Sequence, residues 1–103
     1  MTYKSKRSKA CDISKKVKEK VWDRDNCACI ACGNPQAMPN AHFIPRSKGG
    51  LGIEQNIVTL CLDCHFKYDN TVERPIYREY IKNYLQGKYG ADWSEEKLVY
   101  KKG

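Results

Sequence analysis

Two Cys-x-x-Cys pairs, Cys29/Cys32 and Cys61/Cys64, constrain this chain more than any other feature of its sequence. Four thiolates at matched spacing are enough to close a tetrahedral structural zinc site with no open coordination position. Such a site would clamp together two segments separated by 28 residues, 33 to 60, and metal binding would then contribute directly to the folding free energy. A chain of 103 residues needs that help, because it can bury only a modest core. Disulfides are the competing use of cysteine. The start, Met1 to Ala10, is basic and polar with none of the apolar run of an export signal, so the sequence favours a reducing cytoplasm. Cys11 and Cys27 fall outside the paired pattern and read as bystanders, although Cys27 is near enough to Cys29 to compete with it. No stretch approaches the ~18 apolar residues of a membrane span, and a soluble protein is expected.

The balance of 19 Lys and Arg against 12 Asp and Glu gives a formal charge of +7. The excess is concentrated at the front. Lys4, Lys6, Arg7, Lys9, Lys15, Lys16, Lys18 and Lys20 are opposed there only by Asp12 and Glu19. Clustered cations of this kind suit DNA, because each neutralised phosphate releases condensed counterions. Residues 1–11, rich in Lys, Ser and Arg, read as a flexible basic arm, and residues 12–103 as a single domain. Ile13, Val17 and Val21 recur every fourth position, with Asp12 or Ser14 as the cap, and predict a helix to about Arg24. Asp25 to Pro39 is rich in turn formers and suits a knuckle around the first cysteine pair. Short strands are expected at Ala41–Ile44 and Ile57–Leu60, joined by a glycine-rich loop, with a helix from Leu62 to about Asn70. A last long helix is expected from Pro75 to Gln86, with Ile76, Tyr77, Tyr80, Ile81, Tyr84 and Leu85 as its apolar stripe. A further helical turn is expected after Ser94.

Cys61-Leu62-Asp63-Cys64-His65 also satisfies C-x-x-C-H, the attachment pattern of c-type haem. That reading needs export machinery and leaves Cys29 and Cys32 unexplained. Around the cysteine frame stand His42, Asn56 and His65, the first within Asn40-Ala41-His42-Phe43-Ile44-Pro45-Arg46-Ser47-Lys48-Gly49-Gly50. With a histidine three residues before a proline, a Gly-Gly loop, an asparagine before the second strand and a Cys-His on the following helix, the chain resembles the HNH endonucleases. The matching pieces run from Cys29 to about Asn70, and they look particularly like the small nucleases encoded by phages and prophages.

The resemblance implies an α+β fold: a ββα-metal, treble-clef-like core with a four-cysteine structural zinc, flanked by a basic N-terminal helix and a C-terminal helix. It implies that His42 is the general base for an attacking water, a role that an imidazole can fill near neutral pH. Asn56 would brace the hairpin loop. His65 would be a metal ligand, joined by Asp69 on the same helical face, so that one divalent ion (Mg²⁺, Mn²⁺, Ni²⁺ or Zn²⁺) serves as Lewis acid. Arg46 and Lys48 would contact phosphates beside the scissile bond, with Lys4, Lys6, Arg7, Lys9, Lys15 and Lys16 as further DNA contacts. The chain departs from the family at Ala41, where many relatives carry an aspartate or histidine as another metal ligand. The expected activity is therefore metal-dependent hydrolysis of DNA phosphodiester bonds by a monomer or dimer. The alternative is a zinc-stapled DNA-binding or packaging accessory protein of weak or lapsed activity. Kinship with phage nucleases makes DNA-packaging (terminase) proteins the expected partners, with the bacterial host cytoplasm as the setting.

Overall fold

In the computed structural model, which describes residues 5–101, a two-stranded hairpin is the centre on which the helices pack. In chain order the elements are α1 (Lys6–Cys11), α2 (Lys15–Arg24), β1 (Ala37–His42), β2 (Ile57–Cys61), α3 (Leu62–Asn70) and α4 (Arg74–Tyr89), with short 3₁₀ turns in the connections. This is a small mixed α+β domain, as the sequence implied. Residues 6–11, expected to belong to a flexible arm, instead form a six-residue helix capped by the Ser5 side chain. The anchor is Cys11, which is 2% exposed. The sequence expectation weighed the lysines and not this one apolar contact.

Both helices flanking Asp12 begin on serine, as helix starts favour: Ser5 accepts from the amide of Ser8, and Ser14 from that of Val17. β1 and β2 pair antiparallel, with Met38 opposite Leu60 but Ala41 opposite Val58, so β1 carries one extra residue between those pairs. Pro39 explains it. Proline has no amide to donate to a ladder, and within sheets it is confined to edges and bulges. The strand thus starts at Ala37, earlier than the expected Ala41, and the bulge resets which side chains face inward. Below it Ala41 is fully buried while His42 is half-buried.

β2 is buried at every position, and Val58, Leu60, Phe43, Ile81, Leu85 and Tyr68 form the heart of the core. Trp93 closes it from the C-terminal side, its ring 5.7 Å from that of Phe43 and its indole N–H donating to the carbonyl of Gln55. The expected stripe on α4 is half right. Ile81 and Leu85 are buried and Tyr77 and Tyr84 partly so, whereas Ile76 and Tyr80 lie 71% and 48% exposed. The inward face of α4 is narrower than the apolar pattern suggested.

A buried ion pair fastens α2 to the other layers. Arg24 binds the Asp25 carboxylate through two nitrogens and donates to the carbonyls of Glu54 and Ile57 and to the Tyr89 hydroxyl. Asp25 in turn accepts from the Thr59 amide and the Tyr84 hydroxyl. Burial alone would lower the Arg24 pKa, but Asp25 and Tyr89 hold it above its ordinary value. The guanidinium thereby fixes the backbone on either side of Asn56.

Candidate active site and metal centre

The knuckle after α2 and the start of α3 bring four sulfurs together. Those of Cys29, Cys32, Cys61 and Cys64 all lie within 4.8 Å of one another, with Cys32 and Cys61 3.6 Å apart. A tetrahedron with Zn–S bonds of about 2.3 Å has sulfur–sulfur edges of about 3.8 Å. The four cysteines are therefore positioned to bind a metal ion and fit structural zinc. Local backbone prepares the site. The amide of Cys64 donates to the Cys61 sulfur, and the Tyr77 hydroxyl to that of Cys64. Burial pushes the Cys29 thiol up, but the amides of Cys61, Cys32 and Ala31 outweigh it and bring it down to about 7. Cys64, desolvated and crowded by three other sulfurs, is pushed up to about 12. Four thiolates cannot coexist here without a cation. Cys27 is exposed and stands outside the cluster, and Cys11 lies on the far helix α1.

The two histidines of the chain, His42 and His65, are its two remaining metal-competent rings. His42 ends β1. Its Nε2–H donates to the Cys11 carbonyl oxygen at 2.9 Å, an oxygen that also accepts from Arg46 at 2.8 Å. Burial lowers the His42 pKa from its ordinary 6.5; the Cys11 carbonyl opposes this, and the charges of Arg46 and His65 reinforce it. His65 lies on α3, where its Nε2 is 3.1 Å from Asp69 Oδ2, one turn later. His42 thus ends the first strand, and the His65–Asp69 pair lies on the helix that follows the second. Among the described residues no third His, Cys, Asp or Glu joins that pair to make a three-ligand group. Ala41 cannot substitute, being a core residue.

Asn56 is fully buried where the hairpin loop meets β2. Its Oδ1 accepts from the Ile44 amide, and its Nδ2 donates to the carbonyls of Leu51 and Ile44, at 2.8, 2.9 and 3.2 Å. The amide of Phe43, next to His42, donates to the Asn56 carbonyl, and the Tyr68 hydroxyl of α3 donates to that of Phe43. His42 is thereby gripped from the loop and from α3. The Gly-Gly of the loop has steric causes: Gly49 adopts φ +81°, and a Cβ on Gly50 would stand 1.7 Å from the Ile44 carbonyl oxygen.

Arg46 reaches Asp12 at 2.9 Å, while Arg7 donates to the carbonyls of Ser47 and Arg46. A polar cavity of about 390 Å³, lined by Ser5, Arg7, Ser8, Cys11, Arg46 and Ser47, opens beside His42's carbonyl partner. Lys48 is exposed in the same loop; Lys6 and Lys9 on α1 and Lys15 and Lys16 on α2 are exposed too. Lys4 lies outside the described residues. Sequence reasoning missed Cys11, Arg24 and Asp25. The first acts through its main chain and leaves no side-chain signal, and the adjacent Arg-Asp pair reads as surface charge.

The fold and site define a small α+β domain with a four-cysteine metal-binding cluster, one histidine at the end of a hairpin strand and another on the helix that follows. Residues 29–81 match the family model described as HNH endonuclease, and the chain belongs to that family. Membership points to nuclease-type chemistry. A short stretch, 19–30, also matches a CXCXC repeat, of which Cys27 and Cys29 are the cysteines present. The chain is similar to anaredoxin of Nostoc sp. (strain PCC 7120), 36% identical over 55 residues that make up 52% of this chain and 72% of that protein. No helix among the described residues is long and apolar enough to cross a membrane.

Proposed function

We propose that the protein is a metal-dependent DNA endonuclease in which His42 is the general base. The observation that carries this reading is the match of residues 29–81 to the HNH endonuclease family, a span that contains the half-buried His42 and the His65–Asp69 pair on α3. Burial favours the neutral form of His42, the form that a base requires. It takes a proton from water as the water oxygen bonds to phosphorus and the phosphorus–oxygen bond to the leaving sugar breaks. General-base assistance of this kind contributes about 10²–10⁴-fold. Asn56 holds the loop that carries the base. Arg46, Lys48 and the cavity bounded by Arg7 receive phosphates flanking the scissile one, and the lysines of α1 and α2 extend the contact along the duplex. His65 and Asp69 would hold a divalent ion that supplies Lewis-acid stabilisation of charge on the phosphoryl and leaving oxygens.

The test is nicking of supercoiled plasmid under Mg²⁺, Mn²⁺, Ni²⁺ or Zn²⁺ with a chelator control. Cleavage is expected in the wild type and a loss of about 10²-fold or more in His42→Ala, with zinc content unchanged. Equal cleavage by His42→Ala would overturn the assignment. A second reading, a zinc-stapled DNA-binding or packaging accessory protein, draws support from Ala41, which leaves the pair on α3 without a third protein ligand. It predicts salt-sensitive DNA binding with no cleavage under any of the four ions.

A further inference from the structure

The family match begins at residue 29, yet the hydrogen-bond partner of His42 lies before it, at the end of α1. A carbonyl oxygen only accepts, so the ring nitrogen facing Cys11 must carry the hydrogen. A neutral imidazole has one N–H. With Nε2 protonated, Nδ1 is left holding the lone pair. We infer that the segment from Lys6 to Asp12 is a positioning element of the active site, whose Cys11 carbonyl fixes the tautomer and orientation of His42 so that Nδ1 is the proton acceptor. The inference rests on the reading of His42 as the base and adds a part that the family match does not contain.

Several independent contacts seat the segment. The Gly52 amide donates to the Ala10 carbonyl at 3.0 Å, and Arg46 holds both the Cys11 carbonyl and the Asp12 carboxylate. Arg7 reaches back to two carbonyls of the 46–47 turn. The closest approach is at Gly52, where a Cβ would stand 2.0 Å from the Asp12 carbonyl oxygen and 3.0 Å from that of Cys11. Its φ lies outside the left-handed range, so glycine is demanded there by the passing segment and not by backbone conformation. The obstructing atoms are backbone, which cannot swing aside like a flexible side chain. Any larger residue at 52 must push the carbonyl away from His42. Gly87, on α4 with nothing within 4 Å of its Cβ position, provides a control substitution.

The tautomer is read directly by long-range ¹H–¹⁵N correlation spectra of histidine-labelled, zinc-loaded protein near neutral pH, without DNA. Wild-type His42 should show a protonated Nε2 and a lone pair on Nδ1. In Gly52→Ala the signals should move toward a mixture of tautomers. The nicking kcat should fall by roughly 10- to 100-fold, a part of the about 10²–10⁴-fold that general-base assistance contributes, while KM for DNA and zinc content change little. Gly87→Ala should match the wild type in both. Should Gly52→Ala fail to fold, Arg7→Ala, which removes two tethers at an exposed position, takes its place with the same expected change of tautomer. A wild-type Nδ1–H tautomer, or an unchanged tautomer and kcat in the variants, overturns the inference. Absence of cleavage together with a locked Nε2–H tautomer would instead remove the nuclease reading and leave the assignment of the hydrogen standing.

Discussion

Replacing Asn56 tests how the hairpin loop is built, and the comparison of two substitutions makes the test sharp. The side chain is fully buried and makes three hydrogen bonds, one accepted from the Ile44 amide and two donated to the carbonyls of Leu51 and Ile44. Asn56→Ala strands all three partners. At roughly 1 kcal/mol or more for each unsatisfied group, the loss is about 3 kcal/mol, or a fall in Tm of about 12–24 °C for a domain of this size. Asn56→Asp is smaller chemically and should be at least as damaging. It keeps the acceptor for Ile44 but turns a carboxylate oxygen toward two carbonyl oxygens in a site closed to water. Thermal unfolding of zinc-loaded protein at fixed free zinc gives the comparison. An Asn56→Asp variant within about 1 kcal/mol of the wild type would refute the bracing geometry, because the two donated bonds it loses should together cost about 2 kcal/mol or more.

Three further outcomes follow from the same contacts. Chelation should unfold the domain cooperatively, and Cys61→Ser should abolish zinc binding and folding together, as measured by metal content and circular dichroism; a chelated protein with an unchanged spectrum would contradict the clamp. Because burial lowers the His42 pKa, the base stays neutral to lower pH than an ordinary histidine. The nicking kcat/KM should therefore be flat above that pKa and decline as pH falls through it, with a midpoint below about 6.5, and a midpoint above that value would contradict the burial. Arg24→Ala should cost about 3–5 kcal/mol by leaving the Asp25 carboxylate buried and unpaired, and Arg24→Lys should not rescue it, since one ammonium cannot meet two carbonyls and a carboxylate in a fixed plane; denaturant titration decides.

Much of the site was readable because its chemistry is carried by side chains at fixed spacings. The two cysteine pairs, the Pro-flanked His42 and the four-residue interval from His65 to Asp69 all translate directly into geometry. What escaped was carried by backbone or by context. The helix Lys6–Cys11 is too short to display a period, and its lysines outweigh its one buried cysteine in any compositional reading. The Cys11 carbonyl would be the same whatever residue stood there. Residues up to Pro39 read as turn formers, whereas the strand begins at Ala37 and a bulge accommodates the proline, and Ile76 and Tyr80 obey the helical period yet face outward, since hydropathy does not say how wide a face a neighbour will cover. Arg24 and Asp25 form a buried pair only because Tyr84 and Tyr89 arrive from the far end of the chain.

A shared hydrolytic site makes a specific demand on kinetics, which single-turnover nicking by His42→Gln, His65→Ala and the double variant examines. Groups that work as one unit fail as one unit, so the double variant should be no slower than the slower single variant. Fully additive losses, or a wild-type rate from either single variant, would mean that the hairpin ring and the helical ring do not serve the same bond.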